Sequence, residues 1–340
     1  MFLCDFVSSW LIFFVLIFFL DIAETAGIVL FIFINLTVQK DADMRVYTRG
    51  DMDGLTSVVL LTYAEDVKEL LFAHPKDMQD GLIDVQENDI ITNLPYAEGC
   101  ALWFDHHTSE KDKLDDIGEF SGRFELAPSA ARVIYNHYKL PEFEQHIDML
   151  ESTDKLDSAH LTEGEVTTPT GWILLGLTLD PRSGLGPDFR KYFRWLAEYV
   201  KELPLEQVLE HREVKKRIDR VLTEQKDFKR LLSEKSRLED NVIITDLRET
   251  DMSTVPVGNR FLVFTMFPEG NVEARIFKGI RNTTVIAAGK SIFNRTFDMN
   301  IGKFLAEYGG GGHEGAGTVQ FPDEKADELI PEIIGKLKQN

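Results

Sequence analysis

The apolar run CALWF, residues 100–104, stops at Asp105-His106-His107, and this ending constrains the fold more than any other segment. A short run rich in aromatic residues reads as a buried strand. A strand closing on a carboxylate and two imidazoles sets oxygen and nitrogen donors along the carboxyl edge of a sheet, where open α/β sheets collect divalent cations and phosphates. Parallel strands need crossover connections, so the flanking sequence must alternate strand and helix patterns. It does: RVYT at residue 45, a helical pattern over residues 55–64, KELLFA, DIIT and CALWF follow one another. The expected class is α/β, with a doubly wound, mostly parallel sheet whose ligands converge on one edge.

A chain of 340 residues with 44% apolar content can bury two cores. Residues 44–186 hold the first domain. Over residues 187–238 charged residues surround Val214, Ile218, Val221, Phe228, Leu231 and Leu232 at helical spacing, with Pro204 dividing the stretch. This helical connector either packs on the first domain or stands free as a hinge. Residues 239–340 read as a smaller α/β domain, with β-rich runs VIITDL, RFLVFTMF and VEARIF, a helix over residues 301–308 and a boundary near Leu238.

Residues 1–43 stand apart. Their apolar stretches, residues 6–20 and 28–36, are each shorter than the roughly 20 residues of a bilayer span, and Asp21 and Glu24 interrupt them. Read as one tilted helix over residues 10–36 the segment is long enough. Lys40 and Arg45 behind it would then leave the rest cytoplasmic, tethered to the inner membrane. The competing account is an over-called start, because Met44 opens the first strand directly.

The 57 acidic against 37 basic residues give a net charge of −20, which disfavours long nucleic acids and anionic surfaces. A polyanionic substrate must be drawn in locally, by metal ions and a few basic groups. Cys4 and Cys100 are too isolated for a disulfide framework or a zinc site. A homodimer is compatible with this chain.

Asp51 and Asp53 leave the first strand in a turn, and Gly54 opens a helix whose free N–H groups favour an anion. Such turns are common on surfaces; the weight comes from Asp105-His106-His107 downstream, since an imidazole near neutrality either ligates or passes a proton. Asp154 and Asp157, three apart on a helical pattern, share a face. His74 and Asp77 follow the second strand. Near the other end Gly309-Gly310-Gly311-Gly312 lets backbone N–H groups approach a ligand before His313, and Arg275 on a strand can clamp a phosphate. Asn294, Arg295 and Asn300 are further candidates. His137, His146, His160 and His211 lack paired ligands.

Together TRGDMDG, HPKDMQDG, NLPY, WFDHH and GGGGHEGAG resemble the DHH phosphoesterase superfamily with its associated C-terminal substrate domain, over Met44 to the end and most like its exopolyphosphatase-like branch. The resemblance implies hydrolysis of a small phosphate ester, phosphodiester or phosphoanhydride with manganese, magnesium or cobalt. It implies Asp51, Asp53, Asp105, His106 and Asp154 as metal ligands, with Asp157 the local alternative to the last. It makes His107 and Asp105 catalytic, and Arg275, Gly310, Gly311, Gly312 and His313 substrate-binding. Two positions depart from the pattern: Tyr47 stands where an imidazole is expected, and Asn93 where a carboxylate would bridge two metals. An amide carries no charge and bridges poorly, so one tight ion and a weak or absent second are expected unless His74 and Asp77 substitute. The substrate alternatives are a short oligonucleotide, a bisphosphonucleoside or a cyclic dinucleotide. A different class is a non-catalytic phosphate-ligand binder with a decayed metal site.

Overall fold

The computed structural model describes residues 43–180 and 185–339. Strands β1 (Met44–Thr48), β2 (Val67–Phe72), β3 (Asp89–Thr92), β4 (Leu102–Asp105) and β5 (Gly122–Phe124) form a wholly parallel sheet in the order β2-β1-β3-β4-β5. The pleat sends Val46, Ile90 and Phe104 into a core with the helices Met52–Ala64, Ala130–Tyr138, Ile147–Asp157 and Pro187–Glu202. It sends Ile91 and Trp103 the other way, against Ala73, Met78 and Leu94. With both faces covered, CALWF is apolar throughout instead of alternating. The strand order reverses at β1, so the carboxyl ends of β1 and β3 border the crevice where α/β sheets bind ligands. Asp51 and Asn93 leave the sheet there.

The connector is packed, not free-standing. Helices Pro187–Glu202 and Leu205–Glu210, separated at Pro204, bury Tyr192, Phe193, Leu196 and Val208 in the first core. The 24-residue helix Arg212–Lys235 starts in that core at Val214. Farther along, its Phe228 and Leu232 join Leu161, Ile173, Ile243 and Leu262 in an apolar cluster drawn from both halves of the chain. An amphipathic face with partners at both ends cannot serve as a loose hinge. Strand β6 (Ser236–Glu239) follows without a loop, so the boundary expected near Leu238 falls inside a strand.

The second sheet is mixed, in the order β10-β11-β9-β8-β7-β6, with β7 (Val242–Asp246), β8 (Val272–Lys278), β9 (Thr283–Lys290), β10 (Gly311–Gly312) and β11 (Ala316–Pro322). Ile244, Ala274, Ile276, Ile286 and Val319 pack under helices Ile301–Ala306 and Ala326–Leu337. Alternate residues, Glu273, Arg275 and Ala287, line a cavity on the other face that Asp157 and Ser158 of the first domain also border. The run RFLVFTMF is not a strand: Leu262–Met266 is a short helix with Leu262, Val263 and Phe264 all buried. A short run buried on every side carries no periodicity to tell helix from strand. Among the described residues no helix is long and apolar enough to cross a membrane. The membrane-anchor reading of residues 10–36 lies outside the described residues.

Candidate active site

Asp51 caps the helix Met52–Ala64, its Oδ1 accepting from Gly54 N at 3.0 Å and from Asn93 Nδ2 at 2.9 Å. Arg49 Nε lies 3.2 Å from Asp51 Oδ2. Two residues on, Asp53 is 1% exposed and accepts from Ala130 N (2.9 Å) and Ala131 N (2.8 Å), the free amides opening the helix Ala130–Tyr138. Two backbone donors fix the carboxylate before any ligand arrives. Burial, then the charge of Asp157, pushes Asp53 up to about 7.

His106 Nδ1 lies 3.0 Å from the Ala127 carbonyl, which can only accept, so this nitrogen carries the proton and Nε2 presents its lone pair. Nε2 lies 3.1 Å from Asp157 Oδ2 and 3.7 Å from Asp53 Oδ2, yet it is buried with no well-directed hydrogen bond. A lone pair facing two carboxylates is repulsive, so Nε2 is stabilised there either by a bound cation or by a second proton. Burial opposes the imidazolium, but Asp157, then Asp53 and Asp105, outweigh it and raise His106 to about 9. In the same cluster Asp157 is held below the usual carboxylate range: burial would raise it, and His106 more than offsets that. The ligand atoms of Asp53, His106 and Asp157 lie within 4.8 Å of one another. Two hard carboxylates with one imidazole suit a divalent cation of the manganese or magnesium kind.

Asp105, fully buried at the end of β4, turns instead to His107: its Oδ1 lies 2.8 Å from His107 Nδ1 and its Oδ2 accepts from His107 N at 3.4 Å. This orients the ring and leaves Nε2 outward. Asp105, His106 and His107 also group their ligand atoms within 4.8 Å.

Three cavities adjoin. One of about 310 Å³ is bordered by Arg49, Asp51, Asp53, Asp157 and Arg260. Another, of about 330 Å³, is lined by Arg49, His74, Asn93, Asp105, His107 and His313. The largest, about 730 Å³, lies against the second sheet; its lining includes Arg260, Arg275, Lys290 and His313, the carboxylates Glu273 and Glu314, and the apolar Phe261, Phe264, Ile292 and Phe297. His313 borders both of the larger ones.

No family model and no curated protein matches the sequence. Among solved structures, the pGpG-specific phosphodiesterase PggH from Vibrio cholerae is 35% identical, with a TM-score of 0.75, over 87% of this chain and 99% of that one. The chain belongs to the DHH phosphoesterase superfamily. The DHH domain of PF0399, described as a member of the s1p family of ribosomal proteins, matches 87% of each chain at 16% identity and a TM-score of 0.50, a likeness of fold alone. RecJ from Thermus thermophilus, solved in complex with Mn2+, matches at 13% identity and a TM-score of 0.47, over 88% of this chain and 52% of that one.

This DHH protein is thus a phosphoesterase of the hydrolase class. Its site differs from the sequence expectation in several ways. Asp154, expected as the last ligand, is elsewhere: its Oδ1 accepts from Ser129 Oγ (2.7 Å) and its Oδ2 from Arg132 Nε (2.9 Å) and Nη2 (2.5 Å). Asp157 takes the place beside His106. Tyr47 packs with Ala73, Met78, Ile91 and Trp103 on the other face of the first sheet and lines none of the three cavities, because β1 alternation turns it to the face opposite Val46. Gly310, Gly311 and Gly312 line none of the three cavities. Gly309 N and Gly310 N donate to Ala306 O and Leu305 O, Gly311 and Gly312 pair with β11, and His313 N donates to Ala316 O. The run therefore permits close packing: a Cβ on Gly302 would meet Gly312 C at 2.4 Å.

Asn300 caps the helix Ile301–Ala306, Asn294 bonds to Glu269 O and Thr296, and Asp77 belongs to neither ligand cluster. His74 borders the 330 Å³ cavity while its Nδ1 caps the helix Pro75–Gln79. Three basic residues at these cavities, Arg49, Arg260 and Lys290, were not foreseen from the sequence. Arg49 stands inside TRGDMDG and was legible there; the other two carry no local signal.

Proposed function

We propose that this DHH phosphoesterase is a divalent-metal-dependent phosphodiesterase acting on a short linear dinucleotide of the pGpG type, in preference to polyphosphate or long strands. The observation that carries the reading is the composition of the 730 Å³ cavity, whose lining joins Arg275, paired with Glu273, and Lys290 to the rings of Phe261, Phe264 and Phe297. Inorganic polyphosphate has no use for such rings, whereas a nucleobase stacks on them. The likeness to a pGpG-specific enzyme over nearly that whole chain supports the same reading.

Asp53, His106 and Asp157 would hold the cation, manganese being the first candidate, which when bound acts as a Lewis acid on the phosphoryl group and activates water. His107, oriented by Asp105, donates a proton to the leaving oxygen from the neighbouring cavity. Arg275 and His313 hold the distal phosphate, and the phenylalanine rings keep water from the base. Lys290 and Arg260 add positive charge in a chain that is acidic overall.

The test is hydrolysis of pGpG, pApA, cyclic dinucleotides, longer oligonucleotides and polyphosphate with added Mn2+. Linear dinucleotides should be cleaved fastest, and preference for polyphosphate would overturn the reading. Arg275→Ala or His313→Ala should raise KM roughly 10- to 100-fold, the value of one charge-assisted hydrogen bond, with bound metal unchanged. Metal loss in either variant would show that the second domain helps build the metal site.

A further inference from the structure

Arg49 is the basic group that borders both the cavity over Asp53 and Asp157 and the neighbouring cavity that holds His107. A phosphoryl group bridging those cavities must pass it. The adjacent carboxylates are already spoken for: Asp51 Oδ1 accepts from Gly54 N and Asn93 Nδ2, and its Oδ2 faces Arg49 Nε at 3.2 Å. Both oxygens of Asp105 face His107. A second divalent ion would have to strip Asp51 of the guanidinium and of the amide, and Asp105 of its imidazole. The second grouping, Asp105 with His106 and His107, shares His106 with the first and has its Asp105–His107 pair closed by a hydrogen bond, and Asn93 Oδ1, buried without a partner, adds only one neutral oxygen.

We infer that Arg49 supplies the second positive charge at the scissile phosphate, so that this chain works with a single divalent ion held by Asp53, His106 and Asp157. The guanidinium suits that role because it is one-third exposed, cannot lose its proton, and offers paired N–H donors to two phosphoryl oxygens. Asp51 then aims Arg49, and Asn93 fixes Asp51. Replacement of a bridging carboxylate by Asn93 becomes intelligible, since a bridge has nothing to join. The inference rests on the reading of the site as a metal-dependent phosphodiesterase.

Manganese content and electron paramagnetic resonance of the Mn2+-loaded full chain decide it without any substrate. One ion per chain with the six-line spectrum of an isolated Mn2+ is expected. Two ions per chain with an exchange-coupled spectrum would overturn the inference, whether or not a dinucleotide is cleaved. Arg49→Met should keep that single ion and lose kcat by roughly 100- to 1000-fold, with partial rescue by added guanidinium. Full kcat in a folded Arg49→Met protein would equally overturn it.

Discussion

Asp157→Asn is expected to empty the metal site, lowering Mn2+ affinity by on the order of 100-fold or more and abolishing hydrolysis at micromolar metal. Asp154→Asn, three residues earlier on the same helix, should leave metal content unchanged. The difference lies in what each carboxylate touches: Asp157 Oδ2 is 3.1 Å from the unsatisfied Nε2 of His106, whereas Asp154 is bound by Ser129 and Arg132. Removing Asp157 leaves one imidazole and Asp53, too few ligands for tight binding. Removing the Asp154 charge loosens an ion pair at the start of the helix Ala130–Tyr138, which costs stability and not the cation. Calorimetric Mn2+ titration of both variants is the measurement. Loss of metal from Asp154→Asn with retention by Asp157→Asn would reverse the assignment.

Gly302→Ala is expected to lower both thermal stability and kcat/KM. In an ordinary helix interior this change stabilises by about 1 kcal/mol. Here the added Cβ would stand 2.4 Å from Gly312 C and O and 2.8 Å from His313 O, all backbone atoms that no rotamer change can move aside. Overpacking of this kind costs about 1–3 kcal/mol, enough to reverse the sign. Relief requires β10 to shift, carrying His313 with it, and a displacement near 1 Å at a positioning group costs roughly 100-fold in rate. Thermal melts and steady-state kinetics report the two effects. A variant more stable than the parent with unchanged kcat/KM would show that the glycine packing is slack.

The α/β class, the parallel sheet and its ligand-bearing edge were legible because their signals are local: strand-length apolar runs, and carboxylates and imidazoles directly after them. The choice between Asp154 and Asp157 was not, since both sit at equivalent spacing and the outcome depends on Ser129 and Arg132 in another helix. The glycine run misled for a related reason. Glycines admit close approach, and sequence alone does not say whether a ligand or, as here, the backbone of a neighbouring strand and helix does the approaching. RFLVFTMF failed because three successive buried residues, Leu262, Val263 and Phe264, erase the periodicity by which strand and helix are told apart.

The helix Arg212–Lys235 has a mechanical consequence. At about 1.5 Å per residue its 24 residues form a strut near 36 Å long, anchored in the first core and continuous with β6 of the second sheet. A flexible tether would let the two halves of the cleft meet by diffusion and would lose entropy at each closure; a strut fixes their distance and their rotation together. Adding one residue within it would turn everything downstream by about 100°. The winding phase of a helix lining none of the three cavities thereby sets how His313 comes to share a cavity with His107.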